Sequence, residues 1–439
     1  MSIKETLSAA AGKCECGKTH ELPHITVESG KGAFDTLMSH IDSFGAIHPY
    51  ILSDINTEAV AGKKVKEMLE KSGKAYTSCL FECDKPVPDE KSVGYAIMNY
   101  TPECDIIISV GSGVMNDIGK IAANVTGKPY ILVATAPSMD GFASITSSVE
   151  LNGLKISLPS TAPNVVIGDT DILKTAPDIM LKAGLGDMLA KYISNLEWNI
   201  SRFITGEYYC EKVASLVKTA LKICTDNAEA LLNRDDGAIK AVFEGLVVSG
   251  ISMNIAGCSR PASGLEHYFS HIWDMRALCF GTAESLHGIN CAIGTREAYN
   301  RYLKLLTFTP DREKAQAYAR NFNLDSWNEK LRGFIGPGAE PMIEAEKKDG
   351  KYNPVNHAKR LENIITNWDE IISIIKKELP DEESFNSIYS LADIPERPEE
   401  IGIDKSDIPM TFLCTKDIRN KYILSSLTWD MGIIEEFEQ

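Results

Sequence analysis

The sequence predicts an α/β half built on a doubly wound parallel sheet, followed by an all-helical half. Three observations carry this. Short apolar runs alternate with helical stretches up to about Pro177. Several of those runs are apolar throughout and rich in Ile, Val and Tyr, as strands buried on both faces are. Beyond Pro177 strand patterns nearly vanish and long helical patterns take over.

The strand-like runs are His24–Val27, Tyr50–Leu52, Tyr76–Phe81, Ile106–Val110, Tyr130–Ala134 and Val165–Ile167. Helical stretches lie between them, over residues 33–42, 57–72, 89–98 and 114–125. Strand–helix–strand repetition calls for parallel pairing through right-handed crossovers. Residues 1–177 are therefore expected to form a Rossmann-like domain, and 178–439 a helical one. The helical patterns of the second half run over Asp178–Phe203, Tyr208–Leu232, Ala238–Ala256, Gly264–Ala277 and Ala358–Leu379. Residues 233–237 and 334–338 punctuate them as loops.

The chain has 439 residues, 45 basic and 61 acidic, and a net charge of −16. A hydrophobic content of 44% supplies a full core and excludes a disordered chain. The acidic balance speaks against nucleic-acid or anionic-membrane partners, while leaving room for a local basic pocket that takes a phosphorylated small molecule. The start, MSIKETLSAAAGK, holds no apolar run long enough for a secretory signal. The longest uncharged apolar stretch, Gly245–Ser259, falls short of the ~20 residues a membrane helix needs. Eleven scattered cysteines are expected to be reduced thiols of a cytoplasmic protein, with Cys210, Cys224, Cys258 and Cys279 as small core residues.

A buried strand, Cys104–Val110, runs straight into Gly111-Ser112-Gly113 and opens a helix. Glycines let the backbone turn tightly, and the helix N-terminus offers N–H groups to a pyrophosphate. The alternative is a plain strand–helix turn, since Asn116 breaks the usual spacing of a third glycine. Asp54, at the end of another apolar strand, suits either a ribose diol or a helix N-cap. A third strand ends in Thr135-Ala136-Pro137-Ser138-Met139-Asp140 and runs on to Ser144, at the strand end where open α/β sheets bind ligands.

Three of the eight histidines, His267, His271 and His287, fall within 21 residues. His267 and His271 share a helix face. Asp187 sits inside an otherwise apolar helix, where a carboxylate needs a cation. One aspartate and two or three imidazoles suit a borderline divalent metal with an open position. Two core histidines and an Asp187–Lys191 ion pair would explain the same residues. Cys14, Cys16 and His20, with His24 beyond, form either a small zinc clip or an exposed or interface segment.

Together, Gly-Ser-Gly-Val-Met-Asn-Asp-Ile-Gly-Lys (111–120), Thr-Ala-Pro-Ser-Met-Asp-Gly (135–141), Gly-Leu-Gly-Asp (184–187), Ser-Arg-Pro-Ala-Ser-Gly-Leu-Glu-His-Tyr-Phe-Ser-His (259–271) and Leu-His-Gly (286–288) occur in order. The chain resembles the bacterial branch of the sn-glycerol-1-phosphate dehydrogenases. These belong to the wider superfamily of iron-type alcohol dehydrogenases, glycerol dehydrogenases and dehydroquinate synthases.

The resemblance implies a dehydroquinate synthase-like fold and an enzyme that moves hydride between NAD or NADP and dihydroxyacetone phosphate. It also implies that Gly113, Val114, Met115, Asn116, Asp117, Thr135, Ala136, Pro137 and Ser138 line the cofactor, with Asp54 near its adenosine ribose and Ser144 touching it. Asp187, His267 and His287 would hold one divalent metal. Asp140, Asp187 and His271 would contact substrate, and His271 would relay the proton. Iron-type alcohol dehydrogenases carry a further histidine one turn after the aspartate; Lys191 stands there, which favours zinc or nickel over iron. The family often has Glu after the final His-Gly, where this chain has Ile289-Asn290. Arg260 is the candidate for the substrate phosphate, with a loop salt bridge as its alternative. A homodimer is what the family suggests. The rival functions are a polyol dehydrogenase acting on unphosphorylated glycerol, a dehydroquinate-synthase-like lyase, and a binding protein without turnover.

Overall fold

The computed structural model describes residues 7–8, 10–83, 85–151, 154–282 and 284–438. The chain forms two compact units. The first comprises residues up to Cys14, Lys18–Met188 and Ser215–Cys258. The second comprises Glu15–Gly17, Leu189–Ala214 and the chain from Ser259 onward.

The first unit is built on a six-stranded parallel sheet. Its strands are β3 (Thr26–Ser29), β4 (Pro49–Asp54), β5 (Thr77–Phe81), β6 (Ile106–Gly111), β7 (Tyr130–Ala134) and β10 (Val165–Gly168). Their order is β3-β10-β7-β6-β4-β5, and all five pairings are parallel. β4, β6, β7 and β10 are buried along their whole length, which is why they read as unbroken apolar runs. Ile51, Ile108, Val133 and Ile167 pack with Leu37 and Val65 in one core cluster. The first strand starts at Thr26 rather than His24, where its pairing with Val165 begins.

Two hairpins escape the apolar pattern. β1 (Gly12–Lys13) pairs antiparallel with β2 (Thr19–His20), and β8 (Thr146–Leu151) with β9 (Leu154–Pro159). The first is too short, and the strands of the second are too interrupted by polar residues, for an apolar run to mark them.

The apolar helix Asp236–Ala256 also belongs to the first unit. By length and composition it could cross a membrane, but 72% of its apolar window is buried inside the protein, as in a core helix. Asp235 caps it by accepting the Ala238 N–H.

The second unit is helical, with a core cluster of Ile272, Trp327, Leu331, Ile335, Ile343 and Cys414. Three helical patterns that run on in the sequence are broken in the structure. Asp178–Phe203 becomes Asp178–Leu189 and Lys191–Thr205; Tyr208–Leu232 becomes Glu211–Asp226 and Ala228–Leu232. Ala358–Leu379 becomes Pro354–Thr366 and Trp368–Glu378. The second and third breaks fall at Asn227 and Asn367, a residue type that favours helix ends. The apolar periodicity continues across them and hides them. Nothing in the sequence explains the break at Ala190. At 334–338 the loop is shorter than expected: Phe334 and Ile335 finish the Leu324–Ile335 helix, and only Gly336–Gly338 turns.

All eleven cysteines are outside disulfides. Cys210 and Cys224 are buried, as expected of small core residues, but Cys258 is half-buried and Cys279 exposed. Both stand where a helix ends, next to Gly257 and two residues before Gly281, and helix ends surface.

Candidate active site

The first unit supplies a cofactor-type turn. The register sets Gly111 of β6 against Ala134 of β7, so the segments leaving these strands run side by side. The Thr135 N–H donates to the Gly111 carbonyl at 3.1 Å. Ser112 spends its hydroxyl across this junction, 3.1 Å from the Ala136 carbonyl and 2.7 Å from Ser138 Oγ. It therefore makes no side-chain cap on the Gly113–Thr126 helix. The first-turn N–H groups of that helix are left to a ligand, as phosphate binding requires. Gly119 takes the part of the missing third glycine. A Cβ there would fall 2.1 Å from Ser109 Oγ and 2.7 Å from the Tyr130 hydroxyl, so only glycine lets the helix lie this close to the sheet.

Several expected cofactor residues turn out to be tied into the fold. Asn116 is fully buried; its Nδ2 donates to the Gly141 carbonyl at 2.9 Å, and its Oδ1 accepts the Tyr130 hydroxyl at 3.0 Å. Asp117 pairs with Lys120 at 2.8 Å. Lys120 also donates to Ser144 Oγ at 3.1 Å and to the Thr146 carbonyl at 2.5 Å. Asp54 caps the helix that follows β4, its Oδ1 accepting the N–H groups of Asn56 and Thr57. The capping alternative thus describes one oxygen of that carboxylate.

Asp140 and Asp187 meet. The Asp140 N–H donates to Asp187 Oδ2 at 2.8 Å, and Asp140 Oδ2 accepts the Ser249 hydroxyl at 2.8 Å. Two glycines allow this approach. A Cβ on Gly184, in the helix of Asp187, would stand 1.8 Å from the Pro137 carbonyl oxygen; one on Gly250 would stand 2.7 Å from that of Asp140. Sequence reasoning missed Ser249 and Gly250, and gave no role of their own to Ser112, Gly119, Lys120 and Gly184 within the motifs that contain them. Only the glycines, sitting inside helices, were visible as anomalies.

The second unit gathers the histidines. His267 and His271 lie on the Leu265–Phe280 helix, and His287 opens the His287–Leu305 helix. The rings of His267 and His287 are 5.1 Å apart between centroids, and His271 is 6.4 Å from each. Donor atoms of His267, His287 and Cys291 lie within 4.8 Å of one another. Cys291 was not expected; it follows His287 by one helical turn. His267 Nδ1 lies 2.8 Å from Glu266 Oε1, an arrangement that orients the ring and leaves Nε2 for a metal. Imidazoles with a neighbouring thiol are a donor set that suits zinc or nickel.

A buried carboxylate pair stands behind this helix. Burial pushes Glu266 up to about 7, against the pull of its hydrogen bond from the Gly264 N–H. Burial, with repulsion from Glu266, pushes Glu197 up to about 8. Glu197 accepts the N–H groups of Leu265 and Leu424 and the Tyr302 hydroxyl. A Cβ on Gly264 would lie 2.5 Å from Glu197 Oε2 and 2.9 Å from Glu266 Oε2. Lys191 donates to the Ala262 carbonyl at 3.0 Å. Asn290, beside the position where the family often has Glu, donates to Asp274 Oδ1 at 3.2 Å.

Arg260 corrects the sequence expectation. Its side chain is 1% exposed, and its Nε donates to Glu207 Oε1 at 2.8 Å while Nη2 pairs with Oε2. The fork that would grip a phosphate is filled by a carboxylate, so the salt-bridge alternative describes this residue.

Comparison with known proteins agrees with these features. The family model for iron-containing alcohol dehydrogenases matches residues 28–177. The crystal structure of glycerol dehydrogenase from Schizosaccharomyces pombe aligns with a TM-score of 0.58 at 16% identity, over 98% of this chain and 92% of that one. The fold is thus that of the iron-type alcohol dehydrogenases. Two curated relatives narrow it. The glycerol-1-phosphate dehydrogenase [NAD(P)+] of Bacillus subtilis (strain 168) is 33% identical over 352 residues, 77% of this chain and 88% of the relative. That of Halalkalibacterium halodurans is 35% identical over 289 residues, 65% of this chain and 72% of the relative. The chain belongs to the glycerol-1-phosphate dehydrogenase [NAD(P)+] family.

Proposed function

We propose that the protein catalyses the reversible reaction of dihydroxyacetone phosphate, NAD(P)H and a proton to give sn-glycerol 1-phosphate and NAD(P)+. The observation that carries this is family membership over 88% of the B. subtilis relative's length. The uncapped helix N-terminus after Gly111-Ser112-Gly113 supports a pyrophosphate there. The cofactor part is residues 1–177 and the metal- and substrate-binding part 178–439, in a cytoplasmic homodimer. A carboxylate at Asp54 disfavours a 2′-phosphate but does not by itself choose between NAD and NADP.

Asp187, His267 and His287 are the proposed ligands of one zinc or nickel ion, supported by the resemblance and by the donors His267 and His287 present together. When bound, such an ion is a Lewis acid for the substrate carbonyl, and the reduced nicotinamide is the hydride donor. The chain's own residues do the rest. Glu266 holds the His267 ring, and the Asp140 N–H holds the Asp187 carboxylate. Ser249 steadies Asp140, which orients a substrate hydroxyl. His271, an imidazole at the edge of the cluster, gives the proton to the oxygen left by hydride addition. Thr135, Ala136, Pro137 and Ser138 form the wall beside the cofactor turn.

The test is the identity of the product. Glycerol phosphate formed from dihydroxyacetone phosphate should resist oxidation by an sn-glycerol-3-phosphate dehydrogenase. Product fully consumed by that enzyme would refute the stereochemical assignment.

A further inference from the structure

The second unit holds a cavity of about 390 Å³ whose wall includes none of the residues assigned to cofactor, metal or substrate. All of its lining residues belong to that unit. The end of the Lys191–Thr205 helix, the segment leading into the Pro354–Thr366 helix, and the Leu424–Asp430 helix with the residues before it enclose it. Its size is that of a small-molecule site, ~300–1,000 Å³.

The wall carries both signs of charge. Lys351 and Lys416 line it and share one ion-pair partner, Asp417, at 3.4 and 3.0 Å. Lys421 also lines it, its ammonium held by the Ser263 carbonyl at 2.7 Å. Arg360 and Asp430 cancel each other through two hydrogen bonds of 2.7 Å. Glu207 gives a lone pair of each oxygen to Arg260 and keeps the others, and Asp349 is exposed. Two buried donors complete the wall. The Ser426 hydroxyl and the Trp429 indole N–H have no hydrogen-bond partner among the described residues, and a buried donor is costly to leave unpaired.

We propose that this cavity binds a small phosphorylated polyol, at a site separate from the catalytic one. The ammoniums of Lys351, Lys416 and Lys421 suit a phosphate, which a chain of net charge −16 otherwise repels. The carboxylates of Glu207 and Asp349 accept hydroxyl hydrogens and turn away a bare polyanion. A ligand with a phosphate at one end and hydroxyls at the other answers both parts of the wall. The same chemistry is found in the proposed product, sn-glycerol 1-phosphate, and in larger sugar phosphates.

The experiment is calorimetric titration of the full-length protein with glucose 6-phosphate, sn-glycerol 1-phosphate, glucose and inorganic phosphate. Two variants mark the cavity. Lys351→Met removes one of its ammoniums, and Asn420→Glu adds a carboxylate to its wall. Asn420 is exposed, so the second variant folds even where the first does not. At least one of the two phosphorylated polyols should bind the wild type with an equivalent that either substitution weakens about tenfold. Binding of sn-glycerol 1-phosphate at the catalytic centre is unmoved by these substitutions, so only the sensitive equivalent counts. Sensitivity with glucose 6-phosphate identifies the larger sugar phosphates as the source, and sensitivity with sn-glycerol 1-phosphate alone identifies the product. Binding of both phosphorylated polyols that is equal in wild type and variants, or absent, would overturn the proposal. So would glucose or inorganic phosphate binding the cavity as tightly as the phosphorylated polyols.

Discussion

Gly184→Ala puts the packing behind the proposed cofactor wall to a quantitative test. Gly184 lies inside the Asp178–Leu189 helix, where alanine would ordinarily gain about 1 kcal/mol in helix propensity. The added Cβ would stand 1.8 Å from the Pro137 carbonyl oxygen, whereas ordinary contact begins at 3.4 Å. The helix or the loop must therefore retreat by about 1.6 Å. The obstacle is backbone, which cannot rotate away as a flexible side chain would. Overpacking of this kind costs ~1–3 kcal/mol, and the rigidity of the obstacle places this case at the upper end. The net expectation is a loss of ~1–2 kcal/mol. The same retreat displaces Thr135–Ser138, so nicotinamide-cofactor affinity should fall as well.

Gly94→Ala is the control. It lies in the Glu90–Met98 helix with nothing within 4 Å of the new Cβ, and it should gain up to ~1 kcal/mol. Urea unfolding of both variants, with cofactor titration by fluorescence, checks the pair. A Gly184→Ala protein as stable as Gly94→Ala, with wild-type cofactor affinity, would refute the reasoning.

Other perturbations follow from the same geometry. Asp187→Asn and His267→Ala should each abolish turnover and bound catalytic metal while leaving cofactor binding near wild type; metal analysis beside cofactor titration decides this. Glu207→Gln leaves the buried Arg260 guanidinium without its charge partner. It should destabilise the protein by about 3 kcal/mol, the low end for breaking a buried pair because Glu207 is part-exposed, as seen in urea melts. Burial pushes the Lys416 ammonium down to about 8. An unfolded lysine keeps its proton to about 10.4, so between these values the unfolded state binds more protons and stability should rise with pH. Lys416→Met should flatten that slope, and equal slopes in denaturant melts at pH 8 and pH 10 would show the burial argument to be wrong.

How much could be read from the sequence followed from how each feature is encoded. The parallel sheet was legible because β4, β6, β7 and β10 are buried on both faces, and continuous apolar runs announce that. The β8–β9 hairpin was not, because β8 is rich in Ser and Thr and β9 interrupts its apolar residues with Lys155 and Ser157, so neither carries such a run. His267, His271 and His287 stood out because histidine is scarce in this chain. Cys291 did not, since a cysteine beside Ala292 and Ile293 in the first turns of a helix looks like any small core residue. Arg260 shows the limit most plainly. A buried arginine beside a substrate motif suits a phosphate and a carboxylate equally, and only the position of Glu207 distinguishes them. The Asp140–Asp187 contact was likewise hidden, because it uses a backbone N–H that no side-chain pattern reports.

NADH oxidation at 340 nm by metal-loaded protein, with dihydroxyacetone phosphate and dihydroxyacetone run side by side, decides whether this chain is a phosphate-dependent dehydrogenase. Oxidation is expected with the phosphorylated ketone only, lost on chelation and restored by zinc or nickel. Equal rates with the unphosphorylated ketone would point to a polyol dehydrogenase instead, and cofactor binding with no oxidation on either substrate would contradict the assignment.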